Sequence, residues 1–349
     1  MQASFRSTLA AVFIAGACAC SRDDSTVAPN EPYDFSAILS DYSNHVVVAT
    51  YASMLDRSEA LVDAIAAFDA APADQAMLDA VAEAWRAVRA PWESSDAFKF
   101  GPAETIQPSL DSWPVDRSQI DAVLASETDL TPEFVHGLGP GLRGYHTIEY
   151  LLFRDGATRA AATVSERERD FLAAAAQLLL ADATLLHGEW ESGFAQDFAK
   201  AGQKNSPYPT QDDAAVEIVD GIIAALDRLA NAKLADPVLQ QDVELVQSQF
   251  SWNSLRDFED NLRGARDAYL GTGPSGDDAN GIDAYVKSKD EALNWRVRAQ
   301  LTEALDLLAA IPAPFEQHLS AGAEIDATQD AIRAVIVTLR DTVRPLLAR

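Results

Sequence analysis

The chain has 349 residues, with 54 Asp and Glu against 27 Lys and Arg, a formal net charge of -27 and a pI near 4.4. Binding a phosphate backbone needs clustered positive charge to displace counterions, so this balance excludes nucleic acid as a partner and leaves an acidic surface that attracts cations over a distance. The length suffices for two ordinary domains or one large helical assembly, and the only cysteines, Cys18 and Cys20, leave the body without a disulfide framework or a thiol nucleophile.

At the amino end Arg6 precedes a short apolar run, Leu9 to Ala15, and a small-residue box, Ala15-Gly16-Ala17-Cys18. That order predicts an export signal over residues 1–17, too short to span a bilayer. A box ending in Cys resembles bacterial lipoprotein signals and implies lipid attachment at Cys18; ordinary cleavage after an alanine fits the same small residues and is the alternative. With Ala19 rather than Asp after Cys18, the bacterial sorting pattern implies the periplasmic face of the outer membrane. Residues 18–34 are mostly polar, include Pro29 and Pro32, and read as a flexible tether, so membrane contact is expected only through the lipid.

From Phe35 onward Ala and Leu dominate, β-branched runs are rare, and apolar residues recur at three- and four-residue spacing, which predicts an all-α fold. Helices are expected near 35–69, 74–98, 116–126, 141–153, 165–199, 211–231, 236–268, 282–310 and 325–347. Helices of this length must pack as bundles. Gly, Pro, Asn, Asp and Ser cluster at 99–115, 136–144, 200–210 and 271–281. The break at 200–210 divides the body into one bundle over 35–205 and another over 206–349, giving two related, four-helix-type bundles. An internal echo supports the division: Trp85, Arg89 and Glu93 stand at i, i+4 and i+8, and so do Trp252, Arg256 and Asp260.

The most informative stretch is Gly139-Pro140-Gly141-Leu142-Arg143-Gly144-Tyr145-His146-Thr147-Ile148-Glu149, continuing through Tyr150-Leu151-Leu152-Phe153. A helix begins after the Gly and Pro cluster, placing His146 and Glu149 in its first two turns and, at three-residue spacing, on one face. Ile148 and Leu151 make the other face apolar, so this helix is expected to be buried, and an ionised carboxylate there must be paired, hydrogen-bonded or metal-bound. The helix amino end disfavours imidazolium and so favours a neutral His146 with a lone pair to offer. Neutral imidazole and carboxylate suit first-row metals such as iron or zinc. The alternative is a hydrogen-bonded core histidine with Glu149 salt-bridged to Arg89 or Arg256.

Gly144-x-His146-x-x-Glu149 followed by Tyr150-Leu151-Leu152 resembles the G-x-H-x-x-E signature of the imelysin-like family, also filed as the M75 peptidases. Trp85 to Pro102, Trp113-Pro114-Val115-Asp116 with Ile120-Asp121, Ser251 to Gly271 and Asp290 to Phe315 follow in the same order, so the resemblance spans about residues 35–349. It implies two related helical bundles with a functional cleft near their interface, and carries His146 and Glu149 over as metal-site residues. Arg89, Glu93, Asp96, Trp113, Asp116, Ser251, Arg256 and Asp260 are expected in the same cleft, with Asp96 standing where the family more often has Glu. A bound divalent or ferric ion, iron or zinc, follows from the same likeness.

Three functions compete. The family's link to bacterial iron acquisition implies a lipoprotein that captures a metal and passes it to an uptake transporter or receptor. Its description as a metallopeptidase implies hydrolysis, but the chain has no His-Glu-x-x-His and no Gly-x-Ser-x-Gly elbow, so the enzyme assignment stays open. The third is a metal-free helical scaffold in which the buried pair only fixes packing.

Overall fold

The computed structural model describes residues 33–348; the export signal, Cys18 and the tether up to residue 32 lie outside the described residues. Its eight principal helices are α1 (Ala49–Ala70), α2 (Gln75–Ser94), α3 (Tyr145–Leu152), α4 (Glu166–Glu189), α5 (Gln211–Arg228), α6 (Ser254–Leu270), α7 (Glu291–Leu308) and α8 (Gly322–Thr338). The fold is all-α: extended pairing within the described residues is limited to a hairpin of Phe153–Arg154 with Ala157–Thr158 and one isolated bridge between Thr272 and Asp278.

Local sequence explains where the helices start. Asp74 and Asp290 cap α2 and α7 by accepting from the Ala76 and Leu293 amides, while Ser165 with Glu168 and Thr210 with Asp213 form capping boxes at α4 and α5. The stretch expected to be one helix near 236–268 is interrupted. Ala235–Gln240 ends where Gln241 turns left-handed at φ 50°, and α6 begins only at Ser254. A continuous helix would take up the amides of Phe250 and Ser251, which point instead at α3. Short helices also form at Pro102–Leu110, inside the break at 99–115, and at Pro132–Gly137, ahead of the break at 136–144, because proline is accommodated in a first helical turn.

Packing builds a core from both ends of the chain. α1 lies against α2 and α4, α3 is held between α2 and α4, and α7 packs on α8. The later helices join the earlier ones directly: α6 packs along α2, and α5 covers the Ser95–Phe98 turn that ends α2. Asp34–Arg349 therefore forms one compact unit. Close approach at these crossings depends on glycine, since a Cβ on Gly264 would sit 1.9 Å from the Ser94 carbonyl oxygen and one on Gly221 would sit 2.3 Å from that of Ala97. Backbone cannot yield as a flexible side chain can. Gly264→Ala is expected to cost about 2–3 kcal/mol, in the usual range for overpacking, read as a lower midpoint in urea unfolding.

Candidate functional site

The site begins with a glycine. Gly144, at φ 81°, precedes α3, and a Cβ there would lie 2.3 Å from the Leu110 carbonyl oxygen. Only glycine permits this approach, and it brings the residue after Leu110, Asp111, against His146. Within α3 every residue but Tyr150 is buried, and the Trp85 indole N–H fixes its first turn by donating to the Tyr145 carbonyl at 3.0 Å.

Glu149 is fully buried, and its carboxylate is satisfied from a segment about a hundred residues away. Its Oε1 accepts from the Phe250 amide at 3.1 Å, the Ser251 amide at 2.9 Å and the Ser251 hydroxyl at 2.8 Å. Its Oε2 lies 3.1 Å from His146 Nδ1. No arginine takes part; backbone and hydroxyl donors meet the desolvation cost of the charge.

His146 is equally buried and faces both ways. While Nδ1 meets Glu149, Nε2 lies 3.1 Å from Asp111 Oδ1, yet the approach is not aligned for a hydrogen bond and Nε2 has no other partner. The same Asp111 oxygen accepts from Arg89 Nη1 at 2.6 Å. Arg89 is completely buried, with Nη2 2.5 Å from Glu93 and Nε 3.6 Å from Asp257. Lys233 Nζ lies 2.7 Å from the other oxygen of Glu93, and the Asn261 amide donates to that oxygen too. Asp257 is braced by Ser248 and Asn253. Asp96 pairs with Lys99 at 2.9 Å and Arg228 at 3.2 Å, extending the network to α5.

These contacts divide the acids into two groups. Burial alone would raise the carboxyls of Glu93, Asp96 and Asp111, but Arg89, Lys99 and Lys233 outweigh it and hold all three below the ordinary carboxylate range. Farther from these cations burial prevails: Asp257 is raised to about 6, Glu316 to about 7 and Asp260 to about 8. Burial also opposes charge on His146, but Asp111 and Glu149 prevail, and its pKa is raised. The neutral imidazole expected from the helix amino end is thus not favoured, because two adjacent carboxylates outweigh a partial dipole charge.

Of the residues singled out in the sequence, Arg89, Glu93, His146, Glu149 and Ser251 meet in this network, and Asp96 lies at its edge. Trp113 stands two residues from Asp111 with its buried indole N–H unpartnered, and Asp116 caps the helix Arg117–Ala125 through the Gln119 amide. Arg256 is exposed and Asp260 half-buried, and neither is joined by a hydrogen bond or ion pair to His146 or Glu149. The two echoed triplets therefore occupy different environments: Trp85 is buried within α2, whereas Trp252 precedes α6 at φ 54°. Sequence reasoning missed Asp111, Asp257, Lys233 and Asn261. Asp111 directly precedes the Ser112-Trp113-Pro114 stretch, but nothing local distinguishes the others from surface residues.

The imelysin model of the M75 peptidases matches residues 47–342. The chain belongs to the imelysin family. It is 29% identical over 316 residues to iron-regulated protein A of Synechococcus elongatus, covering 88% of this chain and 85% of that one. A crystal structure of an iron-regulated protein A precursor from Parabacteroides distasonis aligns with a TM-score of 0.83 at 27% identity, covering 91% of this chain and 96% of that chain. An imelysin-like protein from Psychrobacter arcticum aligns at 0.71 and 15% identity over 89% of this chain and 94% of its own, a likeness of fold.

Among the described residues no three or more His, Cys, Asp or Glu side chains are grouped so as to hold a metal ion. The network has nonetheless a definite pH signature. Glu93, Asp96 and Asp111 stabilise the fold above the unfolded carboxylate range and lose that contribution as pH falls through their depressed values. Asp257, Glu316 and Asp260 hold protons more tightly when folded, so their contribution is present in acid and lost as pH rises through about 6 to 8. The thermal midpoint should accordingly be higher near pH 5 than near pH 8.5, about where the raised acids ionise, and Asp260→Asn should flatten the alkaline decline in a scanning calorimetry series.

Proposed function

We propose that this imelysin-family protein is an exported, membrane-tethered metal-binding protein linked to iron, in which the His146 imidazole is the coordinating group. One observation carries the reading: His146 Nε2 is buried without an aligned hydrogen-bond partner, faces the Asp111 carboxylate at 3.1 Å, and belongs to a ring held at Nδ1 by Glu149. A carboxylate behind a histidine fixes ring and tautomer so that the other nitrogen presents its lone pair. His146 Nε2 and Asp111 would hold the ion, Glu149 would orient the histidine, and water or the ion's own ligands would fill the remaining positions. Bound there, the metal would supply a compact positive charge to the imidazole and carboxylate. The chain's part is to exclude water and to position these donors, and a proton on the raised His146 competes with the ion.

Iron is the favoured metal because two relatives are named as iron-regulated. Capture and transfer to an uptake transporter or receptor fits a lipid-anchored acidic protein better than hydrolysis does. A scissile peptide would have to reach a histidine only 1% exposed, and the grooves beside α6 are not lined by His146 or Glu149.

Elemental analysis of the full chain after exposure to ferrous, ferric or zinc ion should find bound metal. His146→Ala should abolish it, and Glu149→Gln should weaken affinity about 10–100-fold, the usual effect of removing a group behind a ligating histidine. Equal loading of wild type and both variants would sink the assignment, and chelator-sensitive cleavage of casein would move the protein to the peptidases. For the tether, radiolabelled palmitate should enter the wild-type chain in bacterial cells and not Cys18→Ser; labelling of both would refute anchoring at that residue.

A further inference from the structure

A second feature is a groove between α2 and α6 that is not lined by His146, Glu149 or Asp111. Beyond the tight crossing at Ser94 and Gly264, α2 presents Ala87 and Ala90, whose side chains are too small to fill the space between the helices. A groove of about 390 Å³ opens there, continuous through Ala90, Asp260 and Arg263 with a cleft of about 200 Å³ beside α1.

In a chain of charge -27, this groove concentrates guanidinium groups: Arg86 from α2 with Arg256 and Arg263 from α6, and Arg57 from α1 in the adjoining cleft. Arg256 makes no hydrogen bond or ion pair to any described residue. Arg263 pairs with Glu259 at 2.5 Å, and Arg86 pairs with Glu83 at 2.7 Å while its guanidinium stacks over the Phe153 ring at 4.7 Å, each acid being well exposed. Exposed pairs of this kind are weak and are readily exchanged for a better acceptor. Asp260, between the two cavities, is half-buried and likewise has no hydrogen-bond or ion-pair partner.

We propose that this groove is a ligand site for a small, multiply charged oxyanion bearing carboxylate or phosphate groups, held by Arg86, Arg256 and Arg263 with Asp260 donating a hydrogen bond. Planar guanidinium groups bind such oxygens in pairs, and convergence from two helices selects ligands with more than one anionic group. The donor role of Asp260 follows from its surroundings. Burial and the charges of Asp257, Glu93 and Glu259 push its carboxyl up to about 8 against the opposing pull of Arg263, so it carries a proton at neutral pH. The charged groups on the facing helices are Glu83 and Arg86 on α2 and Arg57 on α1. The site does not depend on the metal reading, since none of its side chains bonds to His146.

Isothermal titration of the full chain with tricarballylate and, separately, with inorganic phosphate tests this. At least one should bind at pH 7, and which one binds distinguishes a carboxylate from a phosphate source. Arg256→Gln should weaken binding about tenfold and Arg256→Gln with Arg263→Gln about a hundredfold, each step being the factor that about 1.4 kcal/mol represents. Arg340→Gln, at an exposed arginine paired with Asp341 outside the groove, should leave binding unchanged. Affinity should fall as pH rises through about 8, where ionised Asp260 repels the ligand, and Asp260→Asn should remove that dependence. His146→Ala should bind like wild type, which separates this site from the metal site. Binding by neither probe, or binding indifferent to both arginine substitutions, would overturn the proposal.

Discussion

The molecule depends on one buried charge. The Glu149 carboxylate has left water entirely, and its compensation comes from two backbone amides and a hydroxyl of the segment before α6. Removing those donors would leave an uncompensated ion in the core, which is among the costliest defects a fold can carry. The interaction therefore does three things together: it anchors the irregular segment, it joins the amino-terminal and carboxyl-terminal parts of the body, and it fixes the His146 ring. Glycine makes it geometrically possible, because without Gly144 the helix carrying both side chains could not press against Leu110 and meet Asp111.

Around that anchor the electrostatics have a direction. Arg89, Lys99 and Lys233 lie beside Glu93, Asp96 and Asp111, and the resulting pairs are buried, multiply hydrogen-bonded and resistant to protonation. Arg89 cannot serve every neighbour equally: Asp257 lies 3.6 Å from its Nε, a nitrogen without an aligned partner, and its carboxyl is raised, not lowered. Buried cations thus hold Glu93, Asp96 and Asp111 ionised, whereas burial favours the protonated forms of Asp257 and Asp260. An overall acidic protein in this way combines a charge-neutralised interior with an arginine-lined groove on its surface.

Membership of the imelysin family accounts for the helical body and for the G-x-H-x-x-E segment, but a family resemblance cannot assign roles within the pair. Geometry does so. A glutamate already accepting from three donors through one oxygen is suited to orienting its neighbour, and a histidine with an unaligned buried nitrogen is suited to meeting a ligand. The site's closure is equally physical, since almost none of its surface is exposed and its charged groups lie in opposite-charge pairs.

Much of this was legible in the residues themselves. The apolar periodicity determined the all-α class, and the run from Gly139 to Phe153 indicated a buried helix with an imidazole and a carboxylate one turn apart, because helical spacing is a local property. Ser251, Arg89 and Glu93 could be associated with that helix through ordered family motifs, though not placed. Tertiary structure alone decided the rest. The break before α6 was invisible because its cause is a carboxylate about a hundred residues distant, and Asp111, Asp257 and Lys233 read as ordinary loop and surface residues until packing removed water around them. The triplet Trp252, Arg256 and Asp260 matched its counterpart in spacing but not in environment, because Trp252 lies before α6 begins at Ser254, and spacing places side chains on one face only where the chain is helical.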